Sequence, residues 1–96
     1  MKTVQRRVLI SGRVQGVSYR ASTVKAASRF PGLRGYVRNL KDKRVEAVFS
    51  GPEDVVDQMT SWCRKGSLLS SVKDVTAQDE TVDPTLELFS VRPTEA

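Results

Sequence analysis

The chain has 96 residues, of which 39% are hydrophobic and 28% are charged, with one cysteine and no histidine. This length suits one small domain, and the composition is that of an ordinary globular protein rather than a disordered or membrane-embedded one. The missing histidines and the single Cys63 exclude a Cys/His zinc site, an internal disulfide and a histidine-based catalytic triad. Any catalysis must therefore use arginine, lysine, asparagine, tyrosine, carboxylates or the main chain.

The formal net charge of +5 is distributed unevenly along the chain. Residues 1–44 contain twelve Lys or Arg against one acidic residue, whereas residues 45–96 contain four against ten. A basic first half favours anionic partners such as small phosphorylated molecules, nucleic acids or acidic membrane surfaces. The alternative is that much of this charge is solvated surface. No apolar signal core or bilayer-length apolar run is present, so we expect a cytoplasmic location.

The first half of the chain is predicted to contain a strand, a loop and a helix. Residues 6–13 are predicted as a central strand, because apolar side chains alternate onto both of its faces. A loop over residues 14–19 leads into a helix predicted over residues 20–30, which Pro31 and Gly32 should end. Residues 35–39 and 45–50 are then predicted as two strands of a hairpin joined by residues 40–44.

The second half is predicted to begin with a helix and to end with two strands. Pro52 and the acidic residues after it mark a helix start, and Gly66 marks its end. The apolar stripe expected on this helix consists of Val55, Met59, Trp62 and Cys63. Strands are predicted over residues 71–79 and 86–92, with a turn between them.

The loop between the first strand and the first helix has the sequence form of a phosphate-binding turn. Gly12 and Gly16 permit backbone angles that a side chain forbids and let an anion approach closely, and Arg20 stands where the loop becomes the helix. Main-chain N–H groups there can converge on one anion, and a guanidinium can bind two phosphate oxygens at once. Taken alone, however, such glycines are more often ordinary turn residues, and a single arginine is usually a solvated charge.

The wider sequence makes the pattern specific. The string Gly12-Arg13-Val14-Gln15-Gly16-Val17-Ser18-Tyr19-Arg20 resembles the signature of the acylphosphatase family, Gly-x-Val-Gln-Gly-Val-x-aromatic-Arg. The second block of that family, Gly-aromatic-Val-basic-Asn, is matched by Gly35-Tyr36-Val37-Arg38-Asn39. The resemblance covers residues 6–92. The chain departs from it by one extra residue near Pro31 and by Lys43, where relatives often have glycine.

The resemblance implies an α+β fold of the ferredoxin-like split βαβ type. We expect an antiparallel sheet made from a βαββαβ unit with strand order 4-1-3-2 plus a final edge strand, and two helices on one face. The whole chain, residues 1–96, is expected to form one domain. Residues 1–5 and 93–96 are expected to be flexible tails.

The resemblance also implies an enzyme that hydrolyses the carboxyl–phosphate bond of acyl phosphates to a carboxylate and inorganic phosphate. By motif, the catalytic residues of the family fall on Arg20 and Asn39. Arg20 and a cradle of main-chain N–H groups would hold the phosphate, and Asn39 would position the attacking water. No metal, no other cofactor and no covalent intermediate are expected. The expected substrate-binding residues are Gln15, Gly16, Val17, Ser18, Tyr19 and Arg20.

Four side chains of the two motif blocks have an alternative reading. Asn39 could shape the turn at Leu40 instead of holding water. Gln15 could hold the loop together instead of contacting the substrate. Tyr19 is expected to be a packed aromatic residue and not an acid, and Arg38 is expected to be a solvated or phosphate-steering charge rather than a catalytic residue.

We expect a monomer that binds a small acyl phosphate, or phosphate or sulfate, and has no nucleic-acid or membrane partner. One competing function is a nucleic-acid module of the RNA-recognition type, because Arg34-Gly35-Tyr36 matches the opening of its RNP1 pattern. Residues 37–39 break that pattern, and most of the base-stacking aromatics are missing. A catalytically silent regulatory domain is the other alternative, and the two intact functional positions argue against it.

Overall fold

The computed structural model describes residues 2–95. The elements are, in chain order, β1 (Thr3–Arg13), α1 (Tyr19–Ala27), β2 (Arg34–Asn39), β3 (Val45–Pro52), α2 (Glu53–Lys65), β4 (Ser71–Glu80) and β5 (Ser90–Val91). The five strands form one sheet in the order β4-β1-β3-β2-β5, and the helices pack together on one of its faces. The predicted ferredoxin-like sandwich, its 4-1-3-2 strand order and the final edge strand are confirmed.

The last strand is shorter than predicted and makes the sheet mixed. Only Ser90–Val91 forms β5, which runs parallel to β2, whereas all other strand pairs are antiparallel. We predicted a strand over residues 86–92 in an antiparallel sheet. Leu88 makes only an isolated bridge to Arg34, so the regular pairing is confined to two residues.

The segment between β4 and β5 explains that pairing, because it has to cross the whole sheet. It passes over the face opposite the helices, where the Asp83 N–H donates to the Gln5 Oε1 atom at 2.8 Å. Farther along, Leu86 packs against Tyr36 and Val48 in a small cluster of its own. The chain therefore reaches the edge of the sheet beside β2, where it runs parallel to that strand.

The core lies between the sheet and the two helices. Its members include Val8, Ile10, Val37, Val45, Ala47 and Phe49 from the strands and Tyr19, Ala27, Val56, Met59 and Cys63 from the helices. In α2, Met59 and Cys63 are buried as predicted, but Val56 rather than Val55 is the fully buried valine, and Trp62 is half-buried. Each large buried apolar side chain contributes roughly 1.5–3 kcal/mol through its removal from water.

Helix α1 ends at Ala27, three residues before the predicted end. Pro31 disfavours the helical conformation for Phe30, the residue before it. The Phe30 N–H instead donates to the Ala27 carbonyl at 3.0 Å, and the Leu33 N–H donates to the Phe30 carbonyl at 3.0 Å. Two tight turns therefore replace the last helical turn that the sequence favoured.

The start of the chain is more ordered than predicted. Strand β1 begins at Thr3 and Val4 is only 6% exposed, so the prediction of a flexible tail is wrong for residues 3–5. Val4 pairs with Gly51 of β3, which extends the sheet to this end of the chain. At the other end, the Glu95 N–H donates to the Asn39 carbonyl at 3.0 Å. The predicted tail residues Met1 and Ala96 lie outside the described residues.

A β-bulge at Ser11 and Gly12 shifts the register of β1 against β4 just before the loop. Gly12 has a φ of 117°, and a Cβ atom built there would lie 2.3 Å from the Ser71 carbonyl oxygen. Gly12 is therefore required by the close approach of β4, and not by the approach of an anion as the sequence suggested. Within residues 2–95, no helix is long and apolar enough to cross a bilayer.

Candidate active site

A cavity of about 380 Å³ opens where β1 passes through its loop into α1. It is lined by Val14, Gly16, Ser18, Tyr19, Arg20, Ala21, Asn39 and Val91. The fold thus brings together the two residues that the motifs identified, Arg20 from the start of α1 and Asn39 from the end of β2. Of the predicted substrate-binding residues, Gln15 and Val17 do not line this cavity.

The main chain of the loop is open to the cavity at Gly16. Gly16 has a φ of 74°, and apart from Gly16 and its two chain neighbours no atom of residues 2–95 lies within 4 Å of a Cβ atom built on it. An anion can therefore approach this part of the main chain without meeting a side chain. A residue with positive φ in a turn can direct successive main-chain N–H groups toward one point, which is how main-chain anion sites form.

The first turn of α1 adds a partial positive charge to the same place. Ser18 is the N-cap residue, but its hydroxyl makes no capping hydrogen bond, and no acidic residue lies in the first turn. The first bond from this turn runs from the Ser22 N–H to the Ser18 carbonyl at 3.0 Å, so the N–H groups before Ser22 precede the helical ladder. An anion in the cavity would complement this helix terminus.

Ser18 also carries backbone strain. Its φ of 60° and ψ of 26° lie in the left-handed region, which costs a residue with a side chain roughly 1–2 kcal/mol. Such strain is often stored at functional sites.

Arg20 brings a full positive charge to the cavity. The ion pairs within residues 2–95 involve Arg6, Arg7, Arg38 and Arg44, and Arg20 takes part in none of them. No Asp or Glu among the described residues lines the cavity. The guanidinium of Arg20 is therefore left for an anion from outside the chain, with the bidentate geometry that suits phosphate.

Asn39 supplies an unsatisfied polar atom. Its Oδ1 atom is buried and has no hydrogen-bond partner within residues 2–95. Leaving a buried carbonyl without a partner costs roughly 1–3 kcal/mol, so such an atom needs a reason. Asn39 also lines the cavity, where its amide group can hold a water molecule or contact a ligand.

The hairpin turn after Asn39 is closed by other residues. The Leu40 N–H donates to the Arg44 carbonyl at 2.8 Å, and the Arg44 N–H donates to the Asp42 Oδ1 atom at 3.2 Å. The side chain of Asn39 takes part in neither bond. This geometry favours a role in the cavity over the turn-shaping alternative.

Gln15 ties the loop to this hairpin. Its Nε2 atom donates to the Leu40 and Arg44 carbonyls, both at 2.9 Å. Both amide hydrogens are thereby used within the protein, which favours the loop-holding alternative for the Gln15 side chain. Only its main-chain N–H remains a candidate for the cradle.

Tyr19 is a packed residue, as expected. It is 1% exposed, its hydroxyl donates to the Cys63 carbonyl at 2.7 Å, and its ring lies 5.4 Å from that of Trp62. Burial raises the pKa of the Tyr19 phenol well above its ordinary value, so the hydroxyl stays protonated. Val17 is also buried, and its carbonyl accepts a hydrogen bond from the Ser67 hydroxyl at 3.1 Å. Tyr19 and Val17 therefore anchor the loop to the core.

Cys63 is unreactive because, like Tyr19, it is buried. Burial raises the pKa of its thiol to about 12, so little thiolate forms at neutral pH.

Arg38 lies on the opposite face of the sheet from Asn39. Its Nε atom donates to the Glu46 Oε1 atom at 2.7 Å, and Glu46, which is 6% exposed, also pairs with Arg7. Successive residues of a strand point to opposite faces, so Arg38 cannot reach the cavity that Asn39 lines. Arg38 is therefore ion-paired rather than freely solvated and lies outside the cavity. A steering effect of its charge on phosphate stays a prediction.

Val91 was not predicted as a site residue. This residue comes from a two-residue strand, too short to show any periodicity, and it reaches the cavity only because β5 pairs with β2. Ala21 was missed as well, although its position directly after Arg20 could have indicated it.

Comparisons with known proteins identify the family. A family model described as acylphosphatase matches residues 6–91. An acylphosphatase from Haloquadratum walsbyi is 60% identical over 68 residues, which cover 71% of this chain and 72% of that protein. One from Nitrosococcus oceani is 47% identical over 87 residues, covering 90% and 94% respectively.

A solved structure leads to the same family. The structure of an acylphosphatase from Coxiella burnetii superimposes with a TM-score of 0.86 at 33% identity, over 94% of this chain and 93% of that one. Both motif blocks lie within the matched residues. This chain therefore belongs to the acylphosphatase family of hydrolases.

Proposed function

We propose that the protein hydrolyses the carboxyl–phosphate bond of small acyl phosphates in the cavity between α1 and β2. The phosphate is held by Arg20 and by main-chain N–H groups of residues 15–20. Asn39 holds the attacking water. The reaction uses no metal and forms no covalent intermediate.

The observation that carries this proposal is that Arg20 and Asn39, which come from different elements, line one cavity. Within residues 2–95, that arginine has no ion-pair partner, and the start of α1 at the same cavity has no capping side chain. An anion satisfies Arg20 and the helix, and a water satisfies Asn39. Phosphoryl transfer to water needs both groups next to each other.

The chemistry demands little more of the protein. Water attacks phosphorus, the P–O bond to the acyl group breaks, and the products are a carboxylate and dihydrogen phosphate. Because a carboxylate is a good leaving group, positioning and charge stabilisation are sufficient. The Asn39 amide accepts a hydrogen bond from the water but is a poor base, so the proton passes to a phosphate oxygen of the substrate.

The residues present suit a reaction without a metal ion. Within residues 2–95, the cavity lining has no carboxylate, imidazole or thiol, and no group of three or more Asp, Glu, Cys or His side chains was found. The charge on the transferred phosphoryl group is met by Arg20 and by N–H groups. We expect a chelator to leave the rate unchanged.

Release of inorganic phosphate from benzoyl phosphate tests the activity. The wild type should exceed the spontaneous rate, and Arg20→Ala and Asn39→Ala should each lower kcat/KM about 100-fold or more. Arg64→Ala is the matched control, since Arg64 is an exposed arginine that does not line the cavity. Turnover no faster than the spontaneous rate would refute the proposal.

The route of the reaction can be followed with labelled water. Attack at phosphorus puts the ¹⁸O atom into phosphate, and attack at the carbonyl carbon puts it into the carboxylate. Ser18 is the one hydroxyl side chain of the described residues that is open to the cavity, because the Tyr19 hydroxyl is bound to Cys63. Ser18→Ala should keep activity within about threefold. A larger loss of activity, together with acid-stable phosphate bound to the protein after incubation with benzoyl phosphate, would show a covalent route.

A further inference from the structure

The active cavity has an apolar side that the phosphate and the water do not use. Its polar lining comes from Gly16, Ser18, Arg20 and Asn39. Of the apolar residues in the lining, Val14 and Tyr19 are 1% exposed and belong to the core. Ala21 is exposed and Val91 is 45% exposed, so these two supply the accessible apolar surface.

Val91 is held firmly in this position. It pairs with Val37 of β2, two residues before Asn39 and on the same face of that strand. The Arg92 N–H donates to the Val37 carbonyl at 2.9 Å, and the Arg92 guanidinium lies 3.9 Å from the centre of the Tyr36 ring. The strand that carries Asn39 therefore also fixes the valine.

The charge of the lining limits what can bind beside the phosphate. Arg20 is the only Lys or Arg among the described residues that line the cavity. The proposed function assigns that guanidinium to the phosphoryl group. A second anionic group on the substrate would meet Ala21 and Val91 instead of a cation, and would lose hydration without gaining a partner.

We propose that Val91 and Ala21 form the acyl-group subsite and make the enzyme selective for acyl phosphates with apolar, uncharged acyl groups. This inference rests on the proposed function, because it assigns the remaining wall of the same cavity. It names a substrate class: aromatic or aliphatic acyl phosphates are accepted, and those with a second phosphate or a carboxylate on the acyl group are disfavoured.

Two substrates that differ by one carboxylate, benzoyl phosphate and 4-carboxybenzoyl phosphate, test the subsite, with acetyl phosphate as the small reference. The wild type should have the higher kcat/KM for benzoyl phosphate. Val91→Ala removes part of the contact surface, so it should lower kcat/KM for benzoyl phosphate about fivefold and that for acetyl phosphate less than twofold.

Val91→Lys adds a cation and should change the preference. We expect the ratio of kcat/KM for the carboxylated substrate to that for benzoyl phosphate to rise about fivefold or more, and the gain to shrink at high salt. Leu88→Lys is the control, since Leu88 is 60% exposed in the same part of the chain but does not line the cavity. Its substrate ratios should stay within about twofold of the wild type.

The outcomes separate the two proposals. If the wild type turns over benzoyl phosphate and both Val91 variants keep its substrate ratios, the acyl subsite is wrong and the proposed function stands. If the wild type hydrolyses none of the three substrates, the proposed function and the subsite fall together. A wild type that prefers the carboxylated substrate would also overturn the subsite.

Discussion

The side-chain amide of Gln15 donates a hydrogen bond of 2.9 Å to the carbonyl of Leu40, the residue directly after Asn39. The same Nε2 atom donates to the Arg44 carbonyl at 2.9 Å, so one side chain binds both ends of the hairpin turn. The loop that we propose to bind the phosphate and the strand that carries Asn39 are therefore held at a fixed separation. In a site that works by positioning, this link matters for rate as well as for stability.

Gln15→Ala removes this link between the loop and the hairpin. We expect a loss of about 1–2 kcal/mol in the free energy of unfolding, from two lost hydrogen bonds. We also expect a fall in kcat/KM for benzoyl phosphate of about tenfold, because Asn39 is no longer fixed against the loop. Gln58→Ala, at an exposed position of α2, should change neither quantity. Equal activity in the two variants would show that the link is purely structural.

Gly16→Ala and Gly32→Ala form a matched pair. Both glycines have positive φ, 74° and 93°, and a Cβ atom built on either one has no neighbour within 4 Å. Each variant should lose about 1 kcal/mol of stability from backbone strain. Only Gly16 lines the cavity, so only Gly16→Ala should reduce phosphate release, by about tenfold or more, because its methyl group stands where the anion approaches. Similar kinetics for the two variants would argue against the main-chain cradle.

Lys43→Gly should stabilise the protein. Lys43 has a φ of 77° in the hairpin turn, a conformation that glycine adopts without strain. Relief of that strain, less the greater entropy of the unfolded glycine, leaves an expected gain of up to about 1 kcal/mol in urea unfolding. Lys41→Gly, at a position without positive φ, should be neutral or destabilising. A loss of stability in Lys43→Gly would mean that the lysine side chain makes a contribution the turn geometry does not explain.

Asp79→Asn should alter the response of stability to acid. Asp79 accepts a hydrogen bond from the Arg6 Nε atom at 2.6 Å, and this bond lowers the pKa of its carboxyl group below the ordinary value. A lowered folded-state pKa stabilises the protein above the unfolded-state pKa of roughly 3.9, and the benefit disappears as the pH falls through the folded-state value. The variant should therefore be less stable at neutral pH and converge with the wild type in acid.

Unfolding by urea between pH 2 and pH 7 measures this difference. Asp74→Asn is the control, because Asp74 is an exposed residue of the same strand, β4, and is in none of the ion pairs described for residues 2–95. A constant stability gap between Asp79→Asn and the wild type across this range would contradict the assignment.

Sequence reasoning predicted the parts of the molecule that depend on local pattern. The alternation along β1 and β3 and the start and stop signals of α2 indicated the elements, and the two motif blocks identified Arg20 and Asn39. The opposite orientation of Arg38 was also available from the sequence, because it precedes Asn39 in a strand and must face the other side of the sheet. The ion pair between Arg38 and Glu46 could not be predicted from the sequence, because it depends on the register of β2 against β3.

Long-range features were not predictable in this way. The two residues of β5 carry no periodic signal. The parallel pairing that brings Val91 to the cavity depends on the path of the chain across the face of the sheet opposite the helices. The early end of α1 results from competition between helix propensity and Pro31. The meeting of Arg20 and Asn39 in one cavity is a property of the assembled fold, and no single stretch of sequence contains it.

We propose that Arg20 binds the phosphate and that Asn39 positions the water. These two roles are tested most directly by calorimetric titration of each variant with inorganic phosphate, together with measurement of its kcat for benzoyl phosphate. Arg20→Ala should weaken phosphate binding about tenfold or more, because it loses a bidentate charged contact. Asn39→Ala should bind phosphate within about threefold of the wild type while its kcat falls about 100-fold. Undiminished phosphate binding by Arg20→Ala, or an unchanged kcat for Asn39→Ala, would contradict the account.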